Sequence, residues 1–245
     1  MGQADWGTLD DILAVADLAR GVTAGITPPS GGGSFVYGYN SRSTVVGAHG
    51  KYVDLTNFNP TGGGLTPPAG GGSITGCVKR VASPGNVGMS PMLYFCLENT
   101  SPPTVNDWAY ILGLSDEDPY HIVLAKGPLV GGLVDDASDL TILRTSSAQY
   151  SMGDDLWHHL RLDAIVEPNG DVLLKAFAND LVAHPLSGAP TWVAIPGMAD
   201  YIDDALEINS GSPPLWGGYA GFAFATNGQI GRRGAFDAIT VERLT

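Results

Sequence analysis

The chain has 245 residues, 44% hydrophobic and only 15% charged, which is the composition of a folded protein with a sizeable core and excludes intrinsic disorder. Lys and Arg number 12 against 25 Asp and Glu, a net charge of −13 that argues against a surface tracking nucleic-acid phosphates or an anionic membrane. Glycine (34) and proline (17) are spread along the whole chain, as many short strands joined by many turns require.

The N-terminus, Met1-Gly2-Gln3-Ala4-Asp5-Trp6, has neither a basic region nor an apolar core. It predicts no secretory signal, and no apolar run reaches the ~20 residues that cross a bilayer. Leu9, Ile12, Leu13 and Ala16 fall at helical spacing behind a possible N-cap, Thr8, while Arg20 to Thr27 alternates as a strand would. The reading adopted for residues 1–27 is a short helix or irregular arm, with an opening strand as the alternative, and residues 28–245 form one domain.

Ile26-Thr27-Pro28-Pro29-Ser30-Gly31-Gly32-Gly33-Ser34 is echoed by Leu65-Thr66-Pro67-Pro68-Ala69-Gly70-Gly71-Gly72-Ser73. Two copies with unlike flanks do not make a solenoid. They read as two similar connections feeding strands, or as loops that dock a neighbouring subunit. Strands are predicted at Phe35–Tyr39, Gly50–Phe58, Ile74–Val78, Met92–Leu97, Trp108–Leu114, His121–Lys126 and Leu140–Thr145. Cys77 and Cys96 lie on separate strands and read as buried thiols, with a disulfide as the less favoured alternative.

From Trp157 the strand pattern is clearest. Trp157–Val166 is followed by Glu167-Pro168-Asn169-Gly170-Asp171, where Asn-Gly signals a hairpin, and Val172–Ala178 returns. Trp157, His159, Arg161 and Asp163 share one face of that strand, with Arg161 and Asp163 as a structural pair, while His158, Leu160, Leu162 and Ala164 share the core face. Thr191–Met198 and Leu206–Ile208 are further strand candidates. Gly218–Ala225, a turn at Gly231–Gly234, and Ala235–Val241 close the chain.

Glycoside hydrolysis needs two carboxylates across a cleft. The nearest acidic groups, Asp116-Glu117-Asp118, Asp154-Asp155 and Asp203 with Glu207, sit beside turn residues and read as solvated loops. No nucleophile elbow or phosphate loop is present. No enzyme activity and no cofactor are predicted. Asp135, Asp136 and Asp139 are the densest oxygen cluster and the candidates for calcium, with an acidic surface loop as the plainer reading. Trp6, Trp108 and Trp216 lie near loops and are the ligand or interface candidates, against a core or subunit-interface role for any tryptophan in a sandwich.

The "WHHLRLD" strand, the Asn-Gly hairpin, "GYAGFAF" (Gly218–Phe224) and the terminal "FDAITV" together resemble the concanavalin A-like, laminin-G-like jelly roll. "LGLSDEDPYHIVLAKGPLVGGL" (Leu112–Leu133) and "TWVAIPGM" (Thr191–Met198) resemble such domains in tailed-bacteriophage virion proteins. That resemblance implies an all-β jelly-roll sandwich and a structural virion subunit of tail, baseplate or capsid surface. It would be made in a host cytoplasm, packed against other subunits as a homo-oligomer, and placed to touch host glycans. The alternative is a carbohydrate-binding module or lectin; a glycoside hydrolase ranks last.

Overall fold

The computed structural model describes residues 18–20, 36–40, 46–54, 70–81, 89–97, 108–114, 121–128, 140–147, 157–179, 190–206, 211–226 and 232–244. These hold fourteen strands: β1 (Leu18–Arg20), β2 (Val36–Asn40), β3 (Val46–Asp54), β4 (Gly70–Val81), β5 (Met89–Leu97), β6 (Trp108–Leu114), β7 (Ile122–Pro128), β8 (Thr141–Thr145), β9 (Trp157–Val166), β10 (Val172–Asn179), β11 (Trp192–Ala194), β12 (Tyr201–Asp203), β13 (Gly217–Thr226) and β14 (Arg232–Leu244). They form an all-β sandwich of two antiparallel sheets, as the sequence predicts. One sheet runs β1-β2-β14-β4-β9-β10-β11, with β12 also paired to β10; the other runs β3-β13-β5-β6-β7-β8.

Period-two alternation explains the core. Leu160, Leu162, Ala164 and Val166 of β9 and Val172, Leu174, Ala176 and Ala178 of β10 face Leu93, Phe95, Tyr110, Leu112, Ile122 and Leu124 of the other sheet in one buried cluster. β5 and β6 are apolar at nearly every position. A second cluster therefore sits on their other face, with Met92, Tyr94, Leu97, Ala109 and Ile111 against Ala125 and Ala223. Non-alternating runs such as "MLYFCL" are what a sheet buried on both faces requires.

Several expected boundaries move. Leu18–Arg20, within the stretch read as a short helix or irregular arm, is a strand paired with β2; the residues at helical spacing, Leu9, Ile12, Leu13 and Ala16, lie outside the described residues. The remaining residues of 1–17 and 21–35, with the first Pro-Pro-Gly stretch, lie outside the described residues. Gly70–Gly72, expected in a loose connection, belongs to β4. There Gly71 pairs with Ile165 on one side and Leu244 on the other. Arg232–Gly234, expected as a turn, pairs with β2 and begins β14. β3 starts at Val46, before the expected Gly50, and Asp54 pairs with Gly217 of β13; residues 55–58 lie outside the described residues. Leu206 lies beyond β12 and is 91% exposed, not in a strand. Cys77 and Cys96 are buried free thiols, whose pKa values burial raises.

Candidate functional site

The hairpin between β9 and β10 turns as the sequence signals, though by a different geometry from a two-residue Asn-Gly loop. Gly170 N–H donates to the Glu167 carbonyl at 2.9 Å and Glu167 N–H to the Asp171 carbonyl at 2.8 Å. Pro168, whose ring fixes φ, takes the first corner, and Gly170 alone adopts a positive φ, 94°. Asn169 Oδ1 accepts from Asp171 N–H at 3.3 Å, and Asn169 Nδ2 donates to Asp171 Oδ2 at 2.6 Å. These bonds hold the carboxylate in place.

Trp216 docks on this turn. Its indole N–H donates to the Gly170 carbonyl at 2.8 Å, yet the residue stays 41% exposed. A tryptophan that has satisfied its polar edge and still shows a ring to solvent has a fixed orientation and an open face. Asp171 also accepts the Ala205 N–H at 2.9 Å, and Asp204 Oδ1 accepts the Leu206 N–H at 2.6 Å. Three segments therefore converge: the turn 167–171, the end of β12 with 204–206, and the loop 211–216.

A buried polar network ties these segments to the sandwich. Lys126 and Asp203 are both completely buried and meet at 2.6 Å. Lys126 Nζ also donates to the carbonyls of Ser212 and Pro213, each at 2.8 Å, so its three N–H groups have three acceptors. The Tyr110 hydroxyl donates to Asp203 Oδ2 at 2.6 Å and accepts the Leu215 N–H at 2.9 Å. Burial, and then the Asp203 charge, push the Tyr110 pKa well above its ordinary value. Lys126 and Tyr110 are register partners on β7 and β6, and Asp203 pairs with Val172 in the opposite sheet. The network thus joins both sheets and the loop that carries Trp216.

The predicted site residues separate. Trp216 is exposed. Trp108 is partly buried and packs against the core, and its ring lies where a side chain at Gly211 would go, 2.7 Å from that position. It supports the Trp216 loop from beneath. Trp6 and the calcium candidates Asp135, Asp136 and Asp139 lie outside the described residues. Among the described residues no group of three His, Cys, Asp or Glu side chains is placed to hold a metal ion. Asp203, expected in a solvated acidic turn, is instead buried against Lys126. The sequence reading missed Lys126 and Tyr110. The signal was available, because Ile122, Leu124 and Lys126 alternate on one face of β7, putting a lysine in line with core residues.

The outer face of the larger sheet matches the expected facing. Arg161 pairs with Asp163 through Nε–Oδ1 at 2.6 Å and a second contact at 3.0 Å. Its guanidinium lies 5.8 Å from the rings of both Phe177 and Trp192. His159 approaches Asn179 Nδ2 at 3.3 Å and meets Trp192 edge-on, with ring centres 4.6 Å apart. His158 points to the other face, so the adjacent histidines do not converge.

No protein-family model matches the chain, and no curated protein matches it. Among solved structures it is similar to a carbohydrate binding module from Bacillus subtilis, at 10% identity and TM-score 0.46, with 92% of this chain and 95% of that one covered. It is similar to a legume lectin-like domain from Entamoeba histolytica at 12% identity and TM-score 0.46, covering 94% and 90%. It is also similar to the CBM2 module of the evolved Dit protein of Lactobacillus casei BL23 phage J-1, at 11% identity and TM-score 0.38, covering 96% and 93%. The likeness goes no further than fold.

Proposed function

We propose that this chain is a carbohydrate-binding domain without catalytic activity, and that Trp216 is the platform on which a sugar ring stacks. The observation that carries this reading is a tryptophan 41% exposed whose indole N–H is already spent on the Gly170 carbonyl at 2.8 Å. Sugars present an apolar C–H face and a rim of hydroxyls. A fixed indole suits the first, and the exposed Asn169 with the half-buried Asp171 beside it suits the second. The Lys126–Asp203–Tyr110 network supplies rigidity, so little ordering is left to be done on binding.

Titration of the full chain against a panel of immobilised glycans, beside Trp216→Ala, tests the reading. Binding to at least one glycan that disappears in Trp216→Ala supports it. Binding unchanged by that substitution would sink it. The virion setting implied by the sequence resemblance is a separate proposal, which adds a multi-copy assembly around the same binding residues. The mass of the full chain in solution tests that assembly.

A further inference from the structure

We propose that the Trp216 platform selects saccharides by charge, taking those with a protonated amine and turning away those with carboxylate or sulfate groups. This rests on the reading of Trp216 as a saccharide platform and adds a ligand class to it. Asp171 follows directly on Gly170, whose carbonyl holds the indole. The hydrogen bonds that its carboxylate accepts come from the Asn169 amide at 2.6 Å and the Ala205 backbone at 2.9 Å. Neither donor carries charge, so the carboxylate is oriented without being neutralised.

Glu167 opens the same turn. The ion pairs Lys126–Asp203, Arg161–Asp163 and Lys175–Asp200 leave out Asp171 and Glu167. Lys126, bonded to the Trp216 loop, is fully buried with its N–H groups on Asp203, Ser212 and Pro213. Its charge is matched by Asp203 and leaves the surface acidic. The whole chain adds to this with a net charge of −13.

An ammonium group on a stacked sugar gains twice here, from the carboxylate carried one residue beyond the carbonyl that holds the indole and from the face of the indole itself. A neutral sugar of the same shape keeps only the stacking and hydroxyl contacts. An anionic sugar keeps those and meets like charge.

Calorimetry on the full chain at mildly acidic pH, where the amine is protonated, tests the inference. The ligands are an oligomer of glucosamine, its N-acetylated counterpart of equal length, and an oligomer of galacturonic acid. The amine form should bind about 5-fold more tightly than the acetylated form, and the uronate most weakly. Raised salt should shrink the difference. Asp171→Asn, which keeps an acceptor for the Ala205 N–H while removing the charge, should lose most of the amine's advantage. Trp216→Ala should weaken every ligand that binds. Equal binding of amine and acetylated forms, or an advantage untouched in Asp171→Asn, overturns the charge selection while leaving the platform standing. If none of the three sugars binds, the charge inference falls and the platform is decided by the wider glycan panel; if Trp216→Ala binds them as the parent does, the charge inference falls together with the platform.

Discussion

Lys126 and Asp203 place two opposite charges where no water reaches them, a distance of 2.6 Å apart. Such a pair adds little net stability over an apolar substitute, because each ion gave up its hydration. Breaking it is another matter. Lys126→Met leaves the Asp203 carboxylate buried beside the Tyr110 hydroxyl and strips the Ser212 and Pro213 carbonyls of their donor. The expected cost is about 3–5 kcal/mol, read as a lower denaturation midpoint in urea. Removing both charges, as Lys126→Met with Asp203→Leu, should cost less than the sum of the two single changes, since neither partner is then left unpaired. Additive costs would mean that the pair does not act as a unit. The same substitutions should weaken glycan binding, because the loop bearing Trp216 hangs from Lys126 and Tyr110.

At the scale of elements, the loop 211–216 is the piece whose geometry matters most. Gly211 has a positive φ of 88°, and a side chain there would come within 2.7 Å of the Trp108 ring. Gly211→Ala therefore meets both backbone strain and a clash, and should cost on the order of 1–3 kcal/mol. We expect the change to displace the loop, so glycan affinity should fall; intact affinity with lowered stability would show that Trp216 does not depend on the loop's exact path. Little of this was legible beforehand. Trp157–Val166 and Trp108–Leu114 were predictable to the residue, because continuous apolar or alternating runs bounded by turn residues state a strand outright. Gly70–Gly72 and Arg232–Gly234 were not, since glycine and arginine carry no strand signal and are held by partners on both sides. Trp216 was readable as a candidate from its place after Pro213-Pro214. What distinguishes it from Trp108 is which one the buried network pushes outward, and that depends on contacts distant in sequence, such as Tyr110 with Leu215.

For the molecule as a whole, acid is the condition that should test the fold hardest. Burial holds both His158 and His159 down at about 4, against 6.5 when solvated, with the Asp237 charge opposing the effect only at His159. His158 lies on the core face of β9; His159 lies on the outer face among Cys77 of β4, Asn179 of β10 and Trp192 of β11. The folded protein keeps both rings neutral until the pH approaches 4, whereas the unfolded chain protonates them below about 6.5. Between those values the unfolded state binds more protons, so stability is full at neutral pH and falls as the pH drops through that window. Below about 4 both states are protonated and this contribution stops changing. The loss should be on the order of a few kcal/mol, shared between the two histidines. Urea midpoints from pH 7.5 to 4.5 measure it, and His158→Leu should remove about half of the slope, since its leucine stays neutral in both states. A slope unchanged by that substitution would assign the acid sensitivity to the carboxylates instead.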